Sequence, residues 1–297
     1  MELRTLRYFV ETADAGTVSA AADAVHVTQP ALSRQLRQLE RELGTNLFDR
    51  AGGRLLLSPV GRELLPLARD ILTRADRLAV AAATLSHGRL ERLMLAAPAT
   101  TLADVVSPFI VTLEEDDPTP SVFASDALDP QAALRHGADL VITNGRPGDQ
   151  LDVLALAVLP VWAYVPAGHA WFGRDTVRIA DLLADNVIGL PPTFTARQAL
   201  DAAALGCGLA PRVVIEGSSG PVAQALAAAG RGVAVVSDDP RFALHPVRIT
   251  VGPDELSIHL FAAWDPQHPA ATTLATIAQR LSTYIVGRYG ESTRPPS

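Results

Sequence analysis

Two short helices in quick succession, each opened by a threonine, constrain this chain more than any other stretch. Thr17 is placed to cap Val18 to Val25, because its hydroxyl can accept a hydrogen bond from an otherwise unpaired N–H in the first turn. His26 and Val27 make the turn. Thr28 repeats the capping signal, and Pro30 sits early in the next helix, where its missing N–H would have had no partner. That helix runs to Leu43 and stops at Gly44. Leu32, Leu36, Leu39 and Leu43 form one apolar stripe for packing on the preceding helices. The other face carries Gln29, Ser33, Arg34, Arg37, Gln38 and Arg41. A second helix with a donor-rich N-terminal half is what enters a major groove and hydrogen-bonds base edges. The same face also suits the solvated side of an ordinary amphipathic helix, and the pattern by itself leaves both readings open.

The flanks extend the unit. Leu3, Leu6, Phe9, Val10 and Ala13 make a helical stripe closed by Gly16, a brace for the two helices. Leu47 and Phe48 are placed to cover the underside of the second one. Arg50 to Ser58 reads as a two-stranded wing, with Gly52 and Gly53 free to take a positive φ at its turn. Arg50 and Arg54 flank that turn, either to contact a DNA backbone or to brace the wing. From Pro59 a helix continues to about Ser86, with an apolar seam at Leu64, Ala68, Ile71, Ala75, Leu78, Ala82 and Leu85. The spacings alternate four and three, as in helices that pair lengthwise, so a dimer is expected, with Pro66 an awkward residue in the first turns.

Ala20-Ala21, the run Val27 to Leu36, Leu39-Glu40, Leu43-Gly44 and Leu47-Phe48-Asp49-Arg50 closely resemble the N-terminal signature of LysR-type transcriptional regulators. The resemblance implies a winged helix-turn-helix DNA-binding domain over 1–58 and a linker and dimerisation helix over 59–88. It also implies an effector-binding domain over 89–290 like a periplasmic binding protein; the composition after Gly290 reads as a flexible tail over 291–297. The DNA contacts it implies are Thr28, Gln29, Pro30, Ser33, Arg34 and Arg37 at bases and adjacent phosphates, with Arg50 and Arg54 on the backbone.

The net charge of −7 is unevenly held. Residues 1–90 carry 12 arginines against 10 acids, and the remainder carries 13 against 22, so phosphate contacts must come from local placement of arginines. Beyond His87-Gly88 the pattern turns to short apolar or β-branched runs separated by helical stretches such as 102–115, 196–204 and 222–229. This alternation makes the chain α/β overall and predicts parallel sheets with helices on both faces. By resemblance there are two lobes: lobe I over 91–160 and 266–290, lobe II over 161–265.

Open α/β sheets bind ligands where strands end and helices begin, because the helix N-termini present free N–H groups. The polar residues at those junctions are Thr100, Thr101, Ser125, Asn144, Thr193, Thr195, Ser218 and Ser219, with Phe194 placed to plug the cleft or stack on a ligand. They are the expected effector-binding residues, suited to a small carboxylate or polar metabolite, and each alone also reads as a helix cap. Arg146 and Arg197 are the basic residues to consider as a charge clamp.

No phosphate-binding loop, paired-histidine helix or nucleophile elbow is present; Gly217-Ser218-Ser219-Gly220 has the wrong spacing. Neither an enzyme, a metal site nor a cofactor is expected. Cys207 is the single cysteine, so no intramolecular disulfide forms. No stretch approaches the ~20 apolar residues of a membrane span, and no charged-then-apolar leader is seen, so a cytoplasmic location without membrane partners is expected. The expected function is a ligand-responsive transcriptional regulator whose partners are promoter DNA, a small effector, a second copy in a dimer or tetramer, and RNA polymerase. The alternative is a metabolite-binding protein of the same two-lobed fold with a weak or non-reading head.

Overall fold

The computed structural model describes residues 1–51, 54–87, 90–125, 129–210 and 213–296; within these, the side chains of residues 50, 51, 54, 77, 80, 81 and 83–87 are outside the description. The expectations for Gly52, Gly53 and Gly88, and for the side chains of Arg50, Arg54 and Leu85, therefore lie outside the described residues. The chain divides into two compact units, Met1–Gly88 with Arg135–Gly137, and the rest.

The first unit contains α1 (Leu3–Ala15), α2 (Val18–Ala24), α3 (Gln29–Leu43), a hairpin of β1 (Phe48–Ala51) and β2 (Arg54–Leu57), and α4 (Pro59–His87). Local chemistry sets the helix ends. Thr17 Oγ1 accepts from the Ala20 N–H at 3.2 Å and opens α2. Thr28 holds the same position before α3 but makes no such side-chain bond, so Pro30 is the stronger start signal there. Gly16 and Gly44 end α1 and α3 in the left-handed region. Leu6, Phe9, Leu32, Leu36, Leu39 and Leu47 are buried together, and the edge of the Phe9 ring meets Phe48 at 5.6 Å. Leu43, expected in this stripe, is exposed.

The seam of α4 is corrected. Leu64 and Ala68 pack into the head core with Leu65 and Leu72, and so are not free for a second chain. The start of α4 lies along α1, tied by Arg7 to Asp76 at 2.9 Å and by Arg69 to Asp14. Leu67, Ile71 and Leu78 are exposed with Ala82, Ala75 lies half-buried between them, and this shorter stripe is the open one.

The second unit runs through β3 (Arg92–Ala97), α5 (Ala99–Thr101), a π-turn (Leu102–Val106), α6 (Ser107–Ile110), β4 (Thr119–Ala124), α7 (Pro130–Arg135), β5 (Leu140–Thr143) and β6 (Asp152–Pro160). It continues with β7 (Trp162–Val165), β8 (Thr176–Arg178), α8 (Ile179–Leu183), β9 (Val187–Gly189), α9 (Thr195–Gly206), β10 (Val213–Glu216) and α10 (Gly220–Ala228). The last elements are β11 (Val233–Val236), β12 (His245–Val251), β13 (Asp254–Glu255), β14 (Ser257–Trp264) and α11 (Ala271–Tyr289). The strands form two sheets, ordered β4-β3-β5-β14-β6 in lobe I and β10-β9-β11-β7-β12-β13 in lobe II, with β8 beside β12.

Four expectations change here. The sheets are mixed, because β14 runs antiparallel to β5 and β6, and β7 runs antiparallel to β11 and β12. Strand β14 belongs to lobe I, which moves the expected lobe II end at 265 back to about the start of β14. The helix expected over 102–115 begins at Ala99, ends at Ile110 and carries a π-turn in its middle. The chain thus crosses between the lobes twice, from β6 to β7 and from β13 to β14. Residues 291–296 are also not a free tail: Glu291–Thr293 forms a 3₁₀ turn, and Thr293 is buried.

Candidate nucleic-acid and effector sites

On α3 the polar face splits into a pinned end and a free end. Near the C-terminus Arg41 donates to Gln38 Oε1 at 2.6 Å and to the Arg37 carbonyl at 3.3 Å. Gln38 donates to Glu42 at 2.8 Å, and Glu42 also meets the N-terminal ammonium at 2.9 Å. Toward the N-terminus Thr28, Gln29, Pro30, Arg34 and Arg37 are exposed, and Ser33 is half-buried. The guanidinium groups of Arg34 and Arg37 have no partner among the described residues, in contrast to Arg4, held by Glu2, and Arg7, held by Asp76. An open groove beside the helix is lined by Arg34, Arg37, Gln38, Arg41, Thr45 and Asn46. Free donors at the N-terminal half of a helix are what direct readout requires.

In the second unit the structure separates the expected effector residues into two groups. Thr100 and Thr101 line a cavity of about 290 Å³ at the hinge, bounded by the start of the helix after β3, both crossover segments and the chain end. Its wall carries hydroxyls from Thr100, Thr101, Ser237, Ser257, Tyr289, Ser292 and Thr293. It also carries Asp104, Asp239, Glu255, Arg248 and Trp162. Away from that cavity, Asn144 after β5 donates to Thr195 Oγ1 at 2.7 Å, a bond from lobe I to lobe II. The Asn144 Oδ1 is buried without a partner among the described residues.

The remaining expected residues stand apart from the cavity. Phe194 packs beside the lobe II core of Tyr164, Ile188 and Leu190 rather than plugging an opening. Thr193 and Ser218 are exposed, Ser219 precedes α10 without a side-chain cap bond, and Ser125 is buried after β4. Arg197 is not a free clamp: it donates to Asp201 at 2.9 Å and to the Leu190 carbonyl at 3.0 Å. Arg146 is exposed at a groove edge near Asp129.

The cavity wall is also where the lobes are latched. Asp104, in the π-turn of lobe I, accepts from the Asp239 N–H at 3.0 Å and from Arg241 at 2.9 Å, both in lobe II. Tyr289 donates to the Asp104 carbonyl at 3.0 Å, and Arg288 donates to Asp239 at 2.8 Å. Burial raises the Asp104 pKa, opposed mainly by the bond from the Asp239 N–H. Asp238 is more deeply buried, with Oδ2 unpartnered among the described residues; burial and then the neighbouring Asp104 push its pKa up to about 6. A side chain at Gly220 would collide with the Asp238 carboxylate, so glycine there makes room for the buried acid. Sequence reasoning missed Asp104, Asp239, Trp162, Arg248 and Tyr289. The one available signal was an acid in the first turns after the β3 junction, where Thr100 and Thr101 had already been singled out.

Comparison with known proteins adds to this geometry. A family model described as a bacterial regulatory helix-turn-helix protein of the lysR family matches residues 3–62, and one described as the LysR substrate binding domain matches residues 86–283. The transcriptional dual regulator GltC of Bacillus subtilis (strain 168) is 29% identical over 266 residues, covering 84% of this chain and 85% of GltC. The fold is similar to that of full-length CbnR in complex with its target DNA, with a TM-score of 0.73 at 22% identity over 95% of this chain and 100% of that one. It is also similar to a full-length OxyR variant from Pseudomonas aeruginosa, with a TM-score of 0.67 at 21% identity over 100% of this chain and 98% of that one.

Proposed function

The chain belongs to the LysR family of DNA-binding transcriptional regulators with an effector-binding domain, and we propose on that premise that the free end of α3 reads its promoter. Gln29, Pro30, Ser33, Arg34 and Arg37, entered through Thr28, meet base edges and adjacent phosphates, while Arg50 and Arg54 on the wing hold the backbone. The observation that carries this reading is the contrast along one helix face: Arg34 and Arg37 have no partner among the described residues, whereas Arg41 is already spent on Gln38. Arg34→Ala is expected to relax sequence choice and to cost ~1–3 kcal/mol of binding if its contact is bidentate. Arg41→Ala is expected to leave site preference unchanged. Equal preference for wild-type and scrambled sites by both variants, or no loss with Arg34→Ala, contradicts the assignment.

The hinge cavity is the effector site of this reading, with Thr100 and Thr101 at its lobe I wall. Its volume of about 290 Å³ is near the lower end for small-molecule pockets. Arg248, the one cation among the described residues lining it, is engaged by Glu255 at 2.9 Å and lies over Trp162. That lining favours a small ligand rich in hydroxyl or amine donors over a carboxylate. Asn144 and Thr195, with Thr193 and Phe194 directly before Thr195, form the other closing edge of the cleft, while Ser125, Ser218 and Ser219 follow the ends of β4 and β10. A ligand shifts the lobes only by binding their two arrangements with different affinity. Lobe I and lobe II from residue 89 onward, with the turn at Glu291–Thr293, make this sensing domain, and residues 1–58 and 59–88 are the reading and pairing segments. Two copies pair through the open stripe of α4 and dimers assemble into a tetramer that engages RNA polymerase in the cytoplasm. Among the described residues no helix is long and apolar enough to cross a membrane.

A further inference from the structure

The backbone of Leu47 is a junction of four elements. Its N–H donates to Glu40 Oε1 on α3 at 2.9 Å, and the same oxygen accepts the Phe48 N–H at 3.3 Å, where β1 begins. The Leu47 carbonyl accepts the Ser58 N–H at 2.9 Å, directly after β2. Ser58 Oγ donates to the Asn46 carbonyl at 2.7 Å and accepts the Gly61 N–H at 2.9 Å, which caps the first turn of α4. Gly61 lies so close that a Cβ there would overlap the Leu47 oxygen. The Leu47 side chain is fully buried, so this peptide has no freedom to shift toward solvent.

We infer that Glu40, Ser58 and Gly61 are positioning residues that fix the angle between the recognition helix α3 and the pairing helix α4, and thereby the half-site spacing a dimer accepts. None of the three needs to touch DNA. Glu40 borders the same groove as the free donors Arg34 and Arg37, but one of its oxygens is occupied by two backbone N–H groups of the wing entry. A charged acceptor bridging two buried or half-buried N–H groups is a strong local tie. A dimer engages two half-sites at once only if the distance between its heads matches the DNA, about one helical turn or a multiple. Small changes of the α3 to α4 angle therefore act on two-site binding and leave one-site binding nearly intact.

The inference rests on the proposed pairing through α4, so the test separates the two. Full-length protein and the variants Glu40→Ala, Glu40→Gln and Gly61→Ala are titrated against a single half-site and against paired half-sites at native spacing and one base pair longer or shorter. Sedimentation reports assembly. With Glu40→Ala the single half-site affinity stays within about twofold, the native paired site weakens at least about tenfold, and the spacing preference broadens. Glu40→Gln keeps an acceptor oxygen and restores the wild-type preference. Should Glu40→Ala fail to fold, Gly61→Ala carries the same readouts, because it displaces the Leu47 carbonyl while leaving Glu40 in place. A sharp wild-type spacing preference in the folded variants, or an equal loss on single and paired sites, overturns the inference. A wild-type protein that sediments as a monomer overturns the pairing reading and the inference with it.

Discussion

Asp238 shows how one buried acid sets a measurable property. Its carboxyl keeps its proton up to about pH 6 in the folded chain, against an ordinary value near 3.8, chiefly because it is buried. The unfolded chain releases that proton first as pH rises, so between about pH 4 and pH 6 the folded state binds more protons and stability falls with rising pH. The full loss, reached above pH 6, is about 3 kcal/mol. Asp104 titrates in the same direction through its own burial, with Arg241 and the Asp239 N–H opposing it. Asp238→Asn is expected to raise the melting temperature at pH 7.5 and to flatten the fall between pH 4 and 6, as read by thermal unfolding across pH. An unchanged slope contradicts this account. Nothing local in Val235 to Asp239 marks Asp238 as the buried acid; its environment comes from Asp104 and Gly220, which are distant in the chain. By contrast Thr17, Pro30 and Gly44 were legible as helix signals, because capping and left-handed turns depend on residues within one turn.

At the scale of elements, legibility follows the same division. The two helices of the head and the wing were readable since each carries its own start, stop and apolar stripe. Strand β6, Asp152 to Pro160, has no legible border although it is the longest strand among the described residues: its apolar run abuts that of β7, and Pro160 hides the join. Strand β12 is not legible either, because His245, Pro246 and Arg248 interrupt any apolar run. With those strands unseen, the antiparallel pairings and the double crossover could not be inferred, and neither could a cavity built from them. Helix α4 is the instructive mixed case. Its heptad-like spacing was real, yet Leu64 and Ala68 serve the head, leaving Leu67, Ile71, Leu78 and Ala82 exposed. A stripe of that width gains stability by covering itself with a second copy. Ile71→Glu places a charge at its centre and is expected to give monomers by sedimentation with the head still folded, since Ile71 is 39% exposed and outside the head core. An intact oligomer refutes pairing through this stripe.

The whole molecule joins a helix-turn-helix head with few net charges to an acidic effector-binding unit. Residues 1–90 balance at +2 while the remainder stands at −9, so attraction to DNA is carried by placement of individual arginines rather than by a basic surface. The second unit holds the proposed ligand cavity and the lobe latch in one place, because Asp104 both lines the cavity and ties lobe I to Asp239 and Arg241. In the proposed effector site a ligand would lie beside the Asp104 carboxylate that ties the lobes, which is the route by which binding is proposed to change their arrangement. The most direct test of the central claim is a footprint of the purified full-length protein on the DNA immediately upstream of its own gene, repeated across salt concentrations. The expected result is a protected interval containing an inverted repeat, with protection weakening steeply as salt rises. Absence of protection at low salt would contradict it and leave the two-lobed unit as a metabolite binder with a head that does not read DNA.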